Sequence, residues 1–235
     1  MPVLHVVVAS TRPGRKGPAV ADWFHRLALE HGGFDVRLVD LAEVDLPLLD
    51  EAAHPRLRQY THEHTKRWSV LVDSADAFVF VTPEYNFSAP APLVNALDYL
   101  FHEWAYKPVG FVSYGGQSGG IRSVQMAKLI VTALKMMPIP EAVAIPFFTK
   151  LFDESGAFQP SDPLVRAGRG MLDELLRWAT ALAPLRAAAG PAAGPARTAA
   201  GTASVPTAAE GNAAAASQPE RPPSTPSPPR AGAPH

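Results

Sequence analysis

The chain has 235 residues, 47% of them hydrophobic, with a formal net charge of −1 and no cysteine. The absence of cysteine excludes disulfides, thiolate catalysis and cysteine-ligated metals, and it suits a reducing compartment. The balanced charge offers no basic face, so nucleic acid is not an expected partner.

Residues 3–9 form the apolar run Val-Leu-His-Val-Val-Val-Ala, read as a first strand. No basic leader precedes it and His5 interrupts it, so it is not read as a signal peptide. No stretch is long enough to span a bilayer, and the expectation is a cytoplasmic protein without membrane contact. Residues 10–17, Ser-Thr-Arg-Pro-Gly-Arg-Lys-Gly, read as a turn that opens a helix. A helix N-terminus leaves backbone N–H groups unpaired and carries partial positive charge. The hydroxyls of Ser10 and Thr11 and the guanidinium groups of Arg12 and Arg15 add donors that match a phosphate monoester. Val20, Trp23, Phe24 and Leu27 then mark one face of that helix, and Gly32 and Gly33 end it.

Residues 34–40 alternate as a second strand and lead into an acidic, apolar loop over residues 41–50 that is expected to cover part of the molecule. Leu57, Tyr60, His64, Trp68 and Leu71 predict a helix over residues 54–74. Residues 77–81 are continuously apolar, as befits a central parallel strand covered on both faces, and the strand ends at Thr82-Pro83. Pro90 and Pro92 suit the first turn of a helix with Ser88 as its candidate N-cap, and Leu93, Ala96, Leu97, Leu100, Phe101 and Trp104 form its apolar face. Residues 108–113 predict a fourth strand, followed by the glycine-rich loop 114–120, a helix over 121–136, a fifth strand at 141–145 and a last helix over 162–183.

From residue 187 onward there is no Leu, Ile, Met, Phe, Tyr or Trp. Such a segment cannot bury enough apolar surface to offset its ordering entropy, so residues 186–235 are expected to be a disordered Ala/Pro-rich tail on a single folded domain, residues 1–185. Five strands alternating with helices predict an α/β fold, an open parallel sheet with right-handed crossovers. Ligands bind such sheets beyond the carboxyl ends of the strands, which brings loops 10–17, 82–89 and 113–120 to one rim. Neither the Gly-x-Gly-x-x-Gly fingerprint nor the Walker pattern follows the first strand, which leaves a mononucleotide phosphate. His62, Glu63 and His64 raise the question of a metal, but residues two apart on a helix point in different directions and no further ligand is evident, so no metal site is expected. Trp23, Trp68 and Trp178 fall at core spacings.

Ser10-Thr11-Arg12-x-x-Arg15, Pro83-Glu84-Tyr85-Asn86 and Ser113-x-Gly115-Gly116, in this order, resemble the NADPH-dependent FMN reductase family of flavodoxin-like proteins over about residues 3–147. The resemblance implies a five-stranded sheet of order 2-1-3-4-5 and an oxidoreductase. In that reaction hydride passes from NADPH or NADH to FMN and on to a flavin, quinone, azo compound or similar small acceptor. It places the FMN phosphate at Ser10, Thr11, Arg12, Arg15 and Gly17, and backbone donors from Pro83, Glu84, Tyr85 and Asn86 along the flavin ring. Ser113, Gly115 and Gly116 would meet its pyrimidine edge and ribityl side. Ala9 stands where many members have glycine. The cofactor carries the chemistry, so no side chain is expected to act as a catalytic acid or base. The resemblance further implies a homodimer or homotetramer, with Phe101 and Trp104 near a subunit contact. A flavin-binding interaction protein whose partner senses the redox state, with incidental turnover, is the alternative that the Pro-rich tail motivates.

Overall fold

The computed structural model describes residues 1–189. All but the first four residues of the expected disordered tail therefore lie outside the described residues. The chain runs β1 (Val3–Val8), α1 (Gly17–His31), β2 (Asp35–Asp40), α2 (Leu41–Val44), α3 (Glu63–Asp73), β3 (Ala77–Pro83), α4 (Ala91–Asp98), β4 (Pro108–Tyr114), α5 (Ile121–Ala133), β5 (Met137–Ile145) and α6 (Asp162–Ala188). The five strands form one parallel sheet of order β2-β1-β3-β4-β5, as expected. Because strand side chains alternate between faces, β1, β2, β3 and β4 each feed two cores, whereas the buried Ile139, Val143 and Ile145 of β5 join only the one under α1 and α6. Leu4, Val6, Val8, Val79 and Val81 pack under α1 and α6. Val7, Phe78, Phe80 and Phe111 pack under α3, α4 and α5. The second core is aromatic: Trp104 lies 5.0 Å from Phe78 and 5.9 Å from Trp68, centroid to centroid.

Several elements differ from expectation, each for a local reason. The helix expected over residues 54–74 begins only at Glu63; before it Pro55–Leu57 make a single 3-10 turn. Arg58 adopts a left-handed conformation, φ 52°, which breaks the helix there. The Glu51 carboxylate then accepts hydrogen bonds from the amides of Thr61 and His62 at 2.9 and 3.0 Å, holding those residues outside the helix. Ser88 does not cap α4: Pro90 occupies that position, and the Ser88 hydroxyl turns toward the carbonyl of Ala89. Residues 41–50 contain the short α2 and are tied to α4, with Asn95 Nδ2 donating to the Pro47 carbonyl at 2.7 Å and the Leu49 amide donating to Asn95 Oδ1 at 2.9 Å. Trp104 is buried and donates Nε1 to the Leu97 carbonyl, so it belongs to the core and offers no surface to a second subunit. The last helix continues to Ala188, past the expected boundary, because Arg186 reaches back to Asp76 and to the Tyr106 carbonyl. Among the described residues no helix is long and apolar enough to cross a membrane.

Candidate functional site at the carboxyl rim of the sheet

β1, β3 and β4 are neighbours, so the loops that leave their carboxyl ends meet on one rim. In the first loop Ser10 is buried and its hydroxyl lies 3.2 Å from that of Tyr114 at the end of β4. Gly17 faces both, and any side chain there would collide with the Ser10 and Tyr114 hydroxyls; glycine lets the start of α1 close on the strand ends. Lys16 occupies the N-cap of α1, yet no side chain caps the helix and its first turn carries no acid. The amides of that turn, Pro18 having none, are therefore without a side-chain cap. Thr11 and Arg12 are exposed beside it.

The two arginines of the loop have different surroundings. Arg12 reaches the second loop, where its Nε donates to the Tyr85 hydroxyl at 3.3 Å. Arg15 turns under the loop, forming a two-pronged pair with Asp40 at 2.5 and 2.7 Å and donating to the Ser10 carbonyl at 2.7 Å. Asp40 is available because β2 pairs with β1 in a register that sets Val8 against Asp40. Pairing with Asp40 raises the pKa of Arg15 further above its ordinary value.

In the second loop Tyr85 and Ser88 exchange two backbone hydrogen bonds of 2.9 and 3.1 Å around Asn86 and Phe87, whose φ values are 51° and 67°. Two consecutive positive φ values define a type I′ turn, which Asn tolerates and a bulky phenylalanine ordinarily avoids. The Glu84 side chain turns toward the third loop and the start of α5. Its carboxylate accepts from Ser118 Oγ at 2.9 Å, from the Arg122 amide at 3.1 Å and from Arg122 Nε at 2.6 Å. Burial raises the Glu84 pKa, but the bonds to Arg122 and Ser118 outweigh it and leave the carboxyl below its usual range.

In the third loop the Ser113 hydroxyl is buried and donates to the Gly119 carbonyl at 2.8 Å, inside its own turn. The Gly115 amide donates to Ile145 of β5 at 3.2 Å. Gly116 has open space where a side chain would stand, and its carbonyl accepts from the exposed Phe147. Beside Thr11 a cleft of about 410 Å³ opens between α2 and α4, walled in part by Leu46, Leu48, Pro92 and Asn95.

The twelve residues picked from the sequence thus gather at one rim, but several side chains are engaged within the protein. Asp40, Tyr114, Ser118, Arg122 and Phe87 were missed. Asp40 was visible as the last residue of a strand that flanks β1; the others required knowing which loops touch. His62 and His64 do not diverge as expected. Because His62 sits at the N-cap in extended conformation, the two rings stack with centroids 5.1 Å apart, and His64 pairs with Asp50 at 2.9 Å. Among the described residues no group of three or more His, Asp or Glu side chains is arranged to hold a metal ion.

Residues 2–150 match the family model described as NADPH-dependent FMN reductase. An NAD(P)H-dependent FMN reductase of Schizosaccharomyces pombe is 42% identical over 146 residues, covering 61% of this chain and 72% of the relative. A quinone reductase of Pseudomonas putida is 31% identical over 182 residues, covering 74% of this chain and 92% of that one. Among solved structures, a flavoenzyme NAD(P)H:(acceptor) oxidoreductase of Paracoccus denitrificans superimposes with a TM-score of 0.61 at 20% identity, over 77% of this chain and 98% of the other, a likeness of fold.

Proposed function

The chain belongs to the NADPH-dependent FMN reductase family, and on that premise we propose that the rim just described holds FMN and receives NAD(P)H and a small acceptor in turn. The observation that carries this assignment is the uncapped, acid-free start of α1 packed against Ser10 through Gly17. A phosphate monoester fits that donor set, since amides, hydroxyls and one free-reaching guanidinium converge there. Ser10, Thr11, Arg12 and Gly17 form the phosphate cradle in this reading, and Arg15 braces it through Asp40 without needing to touch the ligand. Backbone groups of Pro83, Glu84, Tyr85 and Asn86 border the ring, and Gly115 and Gly116 leave room for its pyrimidine side, with Ser113 keeping their loop closed.

FMN held there would supply the two-electron hydride chemistry that links the nicotinamide to a quinone, flavin or azo acceptor. The protein orients the reactants, and no side chain on this rim needs to act as acid or base. Nicotinamide and acceptor share the open face, so one leaves before the other enters. We further propose a cytoplasmic homodimer. The exposed Leu48, Leu49 and Leu57 and the half-buried Phe101, beside the segment tied to α4, support a self-contact on that flank.

The test is the absorption spectrum of the purified full chain followed by steady-state NADPH and NADH oxidation with a quinone. A flavin band and sustained turnover are expected, with a dimer by light scattering. Flavin binding without turnover would favour the interaction-protein reading, and no flavin binding would sink both.

A further inference from the structure

We infer that Phe87, backed by Arg122, is the stacking surface that selects planar aromatic electron acceptors over compact inorganic ones; this rests on the FMN-dependent reading of the same rim. Phe87 is 69% exposed and stands at φ 67°. A bulky residue in that conformation is strained, and strain of this kind persists only where surrounding contacts hold it. The contacts are specific. The Arg122 guanidinium carbon lies 3.8 Å from the centre of the Phe87 ring. Arg122 is itself fixed by Glu84, whose side chain is only 7% exposed, through its amide at 3.1 Å, Nε at 2.6 Å and a terminal nitrogen at 2.6 Å.

One face of the ring is therefore covered by a planar cation while much of the residue remains open to solvent. The ring follows directly on Asn86, in the loop proposed to border the flavin. An Asn-Gly pair would satisfy the type I′ turn with less strain, so the turn does not account for the phenylalanine. Glu84 neutralises the charge of Arg122, so the pair presents the flat face of the Phe87 ring and not an anion site. A quinone can lay its face on such a platform; a hydrated, nearly spherical anion such as ferricyanide cannot. Phe87 would contact the acceptor, and Arg122 is a positioning residue that acts through it.

The experiment compares the FMN-loaded full chain with its Phe87→Gly, Phe87→Tyr and Arg122→Lys forms, using menadione and ferricyanide as acceptors. FMN affinity is followed by quenching of flavin fluorescence, and stability by thermal melting. For Phe87→Gly the ratio of kcat/KM for menadione to kcat/KM for ferricyanide should fall by about tenfold, the size of a ring–ring contact, through KM for menadione. Tm should hold or rise as the strain is relieved. Phe87→Tyr should keep the wild-type ratio, and Arg122→Lys should lower it by about threefold, since an ammonium retains charge but not the planar stack. An unchanged ratio in Phe87→Gly, or equal losses for both acceptors with a changed oligomeric state, would overturn the platform while leaving the FMN-dependent reading intact. A wild-type protein that binds FMN but reduces neither acceptor would overturn both.

Discussion

Two arginines three residues apart look alike in a sequence, yet the fold gives them separate tasks. Arg15 is paired on both prongs with Asp40 and donates to the Ser10 carbonyl, so it shapes the loop. Arg12 is exposed and reaches across the rim. Arg12→Ala should weaken FMN by about 1–3 kcal/mol, roughly five- to 150-fold, while leaving riboflavin nearly unaffected, because only FMN carries the phosphate. Arg15→Ala should instead weaken both ligands and lower stability by about 1–3 kcal/mol, with Asp40→Asn following it. Paired titrations with the two flavins and a urea melt decide this; equal loss of both flavins in Arg12→Ala would remove Arg12 from the phosphate cradle. The residue types were legible, because hydroxyls and guanidinium groups before a helix have few other uses in such numbers. Their division of labour was not, since it depends on an edge strand whose last residue, Asp40, lies 25 positions away. Ser113 and Glu84 were hidden in the same way: each was visible as a rim residue, but their side-chain partners lie in a turn or loop whose shape periodicity does not encode.

At the scale of elements, strands were easier to read than helix starts. Apolar runs such as residues 77–81 follow from burial on both faces, which the local sequence must supply by itself. The false first half of the helix at 54–74 shows the converse, since Leu57 and Tyr60 keep helical spacing while Glu51 draws the chain away. That carboxylate has a testable signature. Burial raises its pKa, but the amides of Thr61 and His62 outweigh this and bring it down from 4.5 to about 2. A lowered carboxyl pKa contributes stability that is fully present above the unfolded value and is lost as pH falls through the folded one. Glu51→Gln should therefore be less stable than wild type at pH 7, and the gap should close between about pH 4.5 and 2. Urea midpoints measured across that range check it, and a gap independent of pH would show that the hydrogen bonds and not the charge hold the segment.

For the whole molecule, the strand order, the two cores and the meeting of three loops followed from alternation and from the family pattern, which is why the site's location was readable before its contacts were. All twelve candidate residues lie before residue 117, and α6 closes the described fold at Ala188. Removing residues 190–235 should accordingly leave FMN affinity and quinone turnover within about twofold; a larger loss by the same assays would give the tail a part in catalysis. The braces around the rim also divide it mechanically. The first loop is pinned to the edge strand through Asp40, and the second is riveted to the third through Glu84, Ser118 and Arg122. Two side-chain contacts cross from the first loop to that pair, Arg12 Nε to the Tyr85 hydroxyl at 3.3 Å and the Tyr114 hydroxyl to that of Ser10 at 3.2 Å. The Ser10–Tyr114 contact is buried and the Arg12–Tyr85 contact is exposed, so water competes for the hydrogen bond at the loop tips while the one beneath them is shielded.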